Sequence, residues 1–521
     1  MPTPTLSPQQ QEIIDWAING TGSLNLEARA GCGKTFTLLQ LVKHMKGQGF
    51  IGAYNRAIAD EIKEKLQKAG VDWKQCEANT MHGIAFRAWK KMASPKLVVE
   101  ENKVNAIVLG LGEQAEAEGN FEESEYVKSV IGVTAKAISY AKNRGLGALA
   151  PFESDEQWFD IIEHFALDDD FPEGFNVGRF VAFCQKVYRI SLNTCKEVID
   201  FDDMLLAPLV FRARFWQVDY VFIDEAQDTN PVRRAIALKL LKPGGRLVAV
   251  GDPFQAIYGF TGADSDSMDQ IAKHLGSKTL PLTKTYRCAK AIIRFANRWV
   301  ADIEAHENNP EGVVRTINDN TDTKPWYLIE KIQPTDAILC RNTKPLVTMA
   351  YGMIRAGIPC KVEGREIGKN LLKLATRWKS VKSLRVLAEK VEEHKAKQVQ
   401  KWLAKGREDQ AQNVEDLCEA LGAMIDGTIA RFGTQATVSD LADEIKKMFD
   451  DNVKGVATLC TVHKSKGREW NRVFLYGRNK FMPSKYARQE WQKQQERNLI
   501  YVGITRAINE LVEVYVEEAS K

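Results

Sequence analysis

Short apolar runs alternate along this chain with longer stretches in which apolar residues recur every three or four positions. The runs Ser23–Leu26, Phe50–Ala53, Tyr220–Ile223, Leu247–Val250, Ala337–Cys340, Val456–Thr461 and Val473–Tyr476 read as buried strands. Several end directly in polar or glycine-rich turns, where open α/β sheets place their ligands. Two stretches break the rhythm. Residues 90–195 read as mostly helical and locally acidic, from Glu113 to Glu125 and again at Asp168–Asp170. Residues 376–446 are helical and charged, with Leu384, Leu387, Val391 and Val399 spaced for one apolar face. The pattern predicts an α/β protein with two parallel-sheet cores, 1–89 with 196–280 and 281–375 with 447–521. Each core carries a mainly helical insertion, at 90–195 and at the shorter 376–446.

Composition narrows the class without naming it. The 521 residues carry 72 Lys and Arg against 68 Asp and Glu, a net charge of +4, so any basic track for nucleic acid must be local. Apolar residues at 44% and charged residues at 27% exclude a disordered chain. No apolar run nears the ~18 residues of a membrane span, and the polar start does not read as a signal peptide. A location in the cytoplasm, or in the nucleus of a eukaryote, is the expectation. The nine cysteines are scattered with no CxxC pair, which argues against a disulfide framework and a structural zinc site.

Residues 28–35, Ala-Arg-Ala-Gly-Cys-Gly-Lys-Thr, follow a predicted strand and open a predicted helix at Phe36 to Met45. This is P-loop spacing with Ala28 at the first glycine position. The backbone of Ala30, Gly31, Cys32 and Gly33 would close around phosphate oxygens, Lys34 would reach the β- and γ-phosphates, and the Thr35 hydroxyl would ligate magnesium. Asp224-Glu225-Ala226-Gln227-Asp228 follows the strand Tyr220–Ile223. A carboxylate there, Asp224, can hold magnesium while Glu225 acts as the general base on the attacking water. The cofactors expected are therefore ATP and Mg2+. About 190 residues separate Lys34 from Asp224, a poor fit to a small kinase or GTPase.

From here the order of motifs resembles the UvrD/Rep group of superfamily 1 DNA helicases, from about Leu6 to Ala507. Leu6-Ser7-Pro8-Gln9-Gln10 is similar to the family's Q motif, Ala53-Tyr54-Asn55-Arg56-Ala57 to motif Ia and Thr80-Met81-His82 to Ib. Asp200 to Leu205 resembles the segment before the acidic box, and Gly251 to Phe260 resembles motif III. Thr285-Tyr286-Arg287 resembles motif IV, Thr461 to Trp470 motif V, and Glu496 to Ala507 motif VI. Tyr54-Asn55 and the segment Met482 to Trp491 are similar to the F-box DNA helicase branch and short phage or bacterial relatives. The resemblance implies two RecA-like domains. It makes Gln10 the adenine reader, Gln255 the γ-phosphate sensor, Tyr286 a platform for the base of the nucleotide, and Glu469 a contact to the ribose. Arg287 and Arg506 become arginine fingers supplied by the second sheet domain; a guanidinium so placed is worth ~10³–10⁵ in rate.

The resemblance also assigns Tyr54, Asn55, His82, Tyr258, Phe260 and His463 to the DNA strand, with Tyr258 and Phe260 on one side of an extended segment. A motor that reads no sequence needs such flat faces together with phosphate contacts. The activity implied is an ATP-dependent helicase on single-stranded DNA and junctions, monomeric, moving 3′ to 5′. Three alternatives stay open: a translocase that strips bound proteins with weak unwinding, a 5′-to-3′ helicase, and a nucleotide-gated DNA-binding module. Some positions depart from the family pattern. Phe36 follows Thr35 where Arg is common, Thr261-Gly262-Ala263 stands where Arg-Gly-Ala is usual, and Thr285 replaces Asn. The Asp168–Asp170 run reads as a solvated loop, and the few residues after Arg506 leave no room for a nuclease domain.

Overall fold

The computed structural model describes residues 6–165, 167–168, 171, 174–259, 266–319, 325–403, 408–450, 454–484, 487 and 489–517. Backbone contacts divide the chain into two units, Met1–Arg29 with Gly33–Leu282, and Ala30–Cys32 with Thr283–Lys521.

The first unit is built on six parallel strands: β1 (Leu24–Ala28), β2 (Gly49–Ala53), β3 (Cys76–Thr80), β4 (Val218–Asp224), β5 (Leu241–Gly251) and β6 (Lys278–Leu282), in the order β3-β2-β4-β5-β1-β6. The central strands are apolar on both faces because helices cover both, so Leu24, Leu26, Phe50, Ile51, Val221, Ile223 and Val248 are all buried. Helix α1 (Pro8–Asn19) starts on a capping box between Ser7 and Gln10. Helix α2 (Lys34–His44) leaves the turn after β1, and α3 (Arg56–Lys68) and α4 (Met81–Trp89) follow β2 and β3.

Between β3 and β4 the chain makes α5 (Lys103–Ala117), α6 (Phe121–Arg144), α7 (Asp155–His164), α8 (Val177–Asn193) and α9 (Phe201–Val210). A two-residue parallel pair, Val98–Val99 beside Val198–Ile199, closes the base of this helical excursion. Its interior is continuous with the sheet's core: Trp89, Val133, Trp158, Phe180 and Tyr188 belong to the same apolar cluster as Phe50 and Val221. Four buried charges sit inside it. Lys103 Nζ donates to Asp203 Oδ2 at 2.7 Å and to the Ser191 carbonyl at 2.7 Å. Lys142 Nζ reaches Asp200 Oδ2 at 2.6 Å and Asp203 Oδ1 at 2.7 Å. The same two aspartates form the capping box of α9. Helices α10 (Pro231–Lys239) and α11 (Ser267–Leu275) complete the unit.

The second unit holds another all-parallel sheet. Its strands are β7 (Val313–Asn318), β8 (Ala337–Cys340), β9 (Cys360–Val362), β10 (Ala457–Thr461), β11 (Trp470–Tyr476) and β12 (Ala507–Tyr515), in the order β7-β12-β11-β8-β10-β9. Helices α12 (Thr343–Arg355), α13 (Arg365–Ala375), α14 (Leu384–Leu403), α15 (Glu408–Phe432) and α16 (Val438–Met448) lie between β8 and β10. Leu384, Leu387 and Val391 are buried against Leu421, Met424 and Ile425, as the spacing of the first three predicts. Helix α17 (Glu490–Ile504) leads into β12. Among the described residues, no helix is long and apolar enough to cross a membrane.

Both sheets are α/β and parallel, and each strand expected from the apolar runs is present. The sequence pattern missed β3, β6, β7, β9 and β12.

Candidate nucleotide and nucleic-acid sites

The turn after β1 is a backbone feature first. Gly31 and Gly33 take φ of +73° and +80°, the left-handed region that glycine enters without strain, and Gly33 caps α2. Ala30 and Cys32 are buried between them. The helix begins at Lys34, two residues before the expected start, so the Lys34 and Thr35 amides belong to its first turn. Gln10 packs beside this turn: a Cβ on Gly33 would lie 3.5 Å from Gln10 Nε2. Its amide also holds local structure. Gln10 Oε1 accepts from Ser7 N–H at 2.9 Å, and Nε2 donates to Thr37 Oγ1 at 3.3 Å.

The acidic end of β4 meets Lys34. Lys34 Nζ donates to both Glu225 oxygens, at 3.1 and 3.2 Å. Glu225 has φ of +52°, unusual for a side chain with a Cβ, which turns its carboxylate away from the strand. Gln227 Nε2 donates to Glu225 Oε2 at 2.5 Å, and Gln227 Oε1 accepts from the Asp252 amide at 3.0 Å. No Cβ fits on Gly251 beside this contact, since it would stand 2.3 Å from Gln227 Oε1. Gln255 is buried, and its Nε2 donates to Asp252 Oδ2 at 2.7 Å. Arg29 lies 3.7 Å from Asp252 Oδ1 and over the Phe254 ring. Gln227, Asp252 and Arg29 escaped the sequence reading as site residues, although all three lie inside the motifs.

The electrostatics follow from burial. Asp224 is almost fully buried; burial first, then the Glu225 charge, pushes its carboxyl up to about 7 against the pull of Lys34. Lys34 is held above the usual lysine range: burial opposes its charge, but Glu225, Asp252 and Asp224 together outweigh that. A carboxyl so short of positive charge fits a hard divalent cation, with the Thr35 hydroxyl in the first turn of α2 as a second oxygen ligand. Among the described residues, no cluster of three or more His, Cys, Asp or Glu forms an all-protein metal site.

A separate aromatic group lies in the same unit. Tyr54 follows β2, and its ring stacks on Tyr258 with centroids 5.6 Å apart and planes within 15°. His82 opens α4, and burial and then the nearby Arg233 charge push it down to about 4, so it is neutral at physiological pH. Asn55 is exposed and caps α3, its Oδ1 accepting from Ile58 N–H at 2.9 Å. The segment before Tyr258 is not uniformly extended, because Pro253–Gln255 forms a short 3₁₀ turn. Phe260, Thr261–Ala263, Asp169 and Asp170 lie outside the described residues.

In the second unit, Tyr286 is 42% exposed with its ring 4.7 Å from His306. Arg287 Nε pairs with Glu469 Oε2. Arg506 is buried at the end of α17, donating to the Val502 and Arg468 carbonyls at 3.0 and 3.1 Å and to Thr505 Oγ1 at 3.1 Å. His463 follows β10; burial, with Arg341 and Lys466 adding to it, pushes its imidazole down to about 3.

A glycine turn between a buried strand and a helix, together with paired acids ending a second parallel strand, defines a P-loop nucleotide-binding protein. Comparison with known proteins narrows this class. The UvrD/REP helicase N-terminal domain matches residues 6–276, just over half of the chain, and the UvrD-like helicase C-terminal domain matches residues 366–518. The chain belongs to the UvrD/Rep helicase family. It is 25% identical to the F-box DNA helicase protein 1 of Schizosaccharomyces pombe over 98% of its own length and 57% of that protein. It is 21% identical to the ATP-dependent DNA helicase Rep of Escherichia coli over 97% of its length and 90% of Rep. With the ATP-dependent DNA helicase PcrA of Staphylococcus aureus the identity is 24% over 59% of this chain and 41% of PcrA. The chain thus spans little more than half of the yeast relative.

Proposed function

We propose that this protein is an ATP-dependent DNA helicase that moves along single-stranded DNA, 3′ to 5′, and opens duplexes ahead of it. The observation that carries the reading is the Lys34–Glu225 pair at the mouth of the glycine turn, within a chain of this family. Incoming phosphate oxygens compete for Lys34 and so release Glu225 toward the attacking water. Thr35 and Asp224 would hold Mg2+, which neutralises phosphate charge when bound. Gln227 orients Glu225, and Gln255 reports the γ-phosphate to the strand-binding segment that follows it. Gln10 reads adenine, Tyr286 carries the base, and Glu469 contacts the ribose. Arg287 and Arg506 supply positive charge to the transition state. Tyr54, Asn55, His82, Tyr258, Phe260 and His463 line the DNA strand. A base stacked on an aromatic face gains ~1–3 kcal/mol, comparable with the ~1.4 kcal/mol of a DNA step, so ATP need only bias direction.

The test is ATP turnover with and without single-stranded DNA, then strand displacement on 3′-tailed and 5′-tailed duplexes at fixed ATP. Turnover indifferent to DNA sinks the motor reading, and preference for the 5′ tail reverses the polarity.

Magnesium removal has an expected signature of its own. The raised Asp224 carboxyl binds a proton in the folded state at pH values where the unfolded chain has released it, so metal-free protein loses stability as pH climbs from about 4 through 7. Mg2+ should oppose that loss, most strongly above pH 7. Melting temperatures measured with EDTA and with Mg2+ across this range check it; parallel curves count against Asp224 as a ligand.

A further inference from the structure

Arg233 is the third residue of α10, where the Asn230 side chain accepts its backbone N–H at 2.9 Å. Its side chain has no such arrangement. Among the described residues no carboxylate lies within ion-pair distance of the guanidinium and no acceptor hydrogen-bonds it, although Nε is buried. Burial works against its charge, and Asp228 and Asp202 favour it only through space. The position is electrostatically poor in a second way, because a cation in the first turn of a helix opposes the macrodipole. Arrangements that break a local rule without internal compensation are characteristic of functional sites.

What lies against Arg233 indicates what would complete it. The guanidinium carbon stands 5.6 Å over the Tyr54 ring, and Tyr54 in turn stacks on Tyr258. The adjoining His82 is neutral. A cation–π contact leaves the guanidinium's N–H donors unmet, whereas a phosphodiester oxygen pair meets them in the fork geometry that arginine favours. Flat faces beside a cation suit a strand that presents bases and phosphates in turn.

We propose that Arg233 binds a backbone phosphate of the nucleic-acid strand that stacks against Tyr54 and Tyr258, holding the strand in register at the first turn of α10. The inference rests on the strand-binding reading given above.

The experiment titrates full-length wild type, Arg233→Gln and Arg233→Lys with fluorescein-labelled oligo(dT) across a KCl series, with melting temperatures recorded for each. The Gln variant should bind roughly tenfold more weakly at low salt, and its plot of log affinity against log salt should be shallower by about 0.7, one phosphate contact on a single strand. The Lys variant should keep most of that slope. Removing a stranded cation should leave melting unchanged or raised. A Gln variant with the wild-type slope overturns the proposal, whatever its affinity. So does a lowered melting temperature in both variants, which marks Arg233 as a brace for Tyr54. Failure of the wild type itself to bind the oligonucleotide is a different result: it removes the strand-binding reading first.

Discussion

Glu225→Gln protein should still bind ATP and single-stranded DNA but turn ATP over roughly 10³-fold more slowly, the scale of losing a positioned general base. The substitution is close to isosteric. Its amide can still accept from Lys34 and Gln227, so the left-handed turn at Glu225 and the Gln227–Asp252 contact are preserved. What disappears is the capacity to take a proton from water. Removing a negative charge beside Asp224 also relieves the repulsion that raises that carboxyl, so metal affinity should hold or improve. A fall in kcat with KM nearly unchanged is therefore the expected split. DNA-stimulated turnover within about tenfold of wild type would falsify the role given to Glu225.

The second large effect is on stability. Lys142→Met should destabilise the protein by about 3–5 kcal/mol, because it strips one cation from two carboxylates that have no route to water. Asp203 is fully buried and keeps only Lys103, and Asp200 is already raised by burial and by Asp203. The direction with pH is also fixed. In the variant both carboxyls ionise less readily than in the unfolded chain, so the deficit is largest at neutral pH and shrinks toward pH 4 as they protonate. Urea midpoints at the two pH values measure it. A deficit that is small at neutral pH, or that grows on acidification, contradicts the account of this network.

The parts of the molecule readable from sequence are those where function or complete burial imposes a strong local pattern. Leu24–Ala28 and Val218–Asp224 are flanked by helices on both faces, so their apolar runs are unbroken until the glycine turn or the acids begin. The missed strands are compromised in identifiable ways. Cys76–Thr80 and Lys278–Leu282 are the two sheet edges, and edges tolerate Glu77, Asn79 and even Pro281. Strand Ala507–Tyr515 lies inside its sheet yet carries Glu510 and Glu513. These are answered by Arg315, with Nη2 at 2.8 Å, and by Arg478, partners distant in sequence. Side-chain chemistry divides in the same way. Lys34, Asp224 and Glu225 stand in short motifs whose spacing carries their chemistry. Arg233, Lys103 and Lys142 stand in ordinary helical text, and only the fold brings them to their neighbours.

The clasp of Val98–Val99 beside Val198–Ile199 has an evolutionary corollary. Where a polypeptide leaves a scaffold and rejoins it at adjacent points, the excursion can lengthen, shorten or be exchanged without re-threading the parent architecture, since the closing entropy grows only slowly with its length. That freedom stops at Trp89, Lys103 and Lys142, whose neighbours lie on both sides of the graft. Drift in this family should therefore accumulate at the far tips of the excursion, leaving its rooted base nearly fixed.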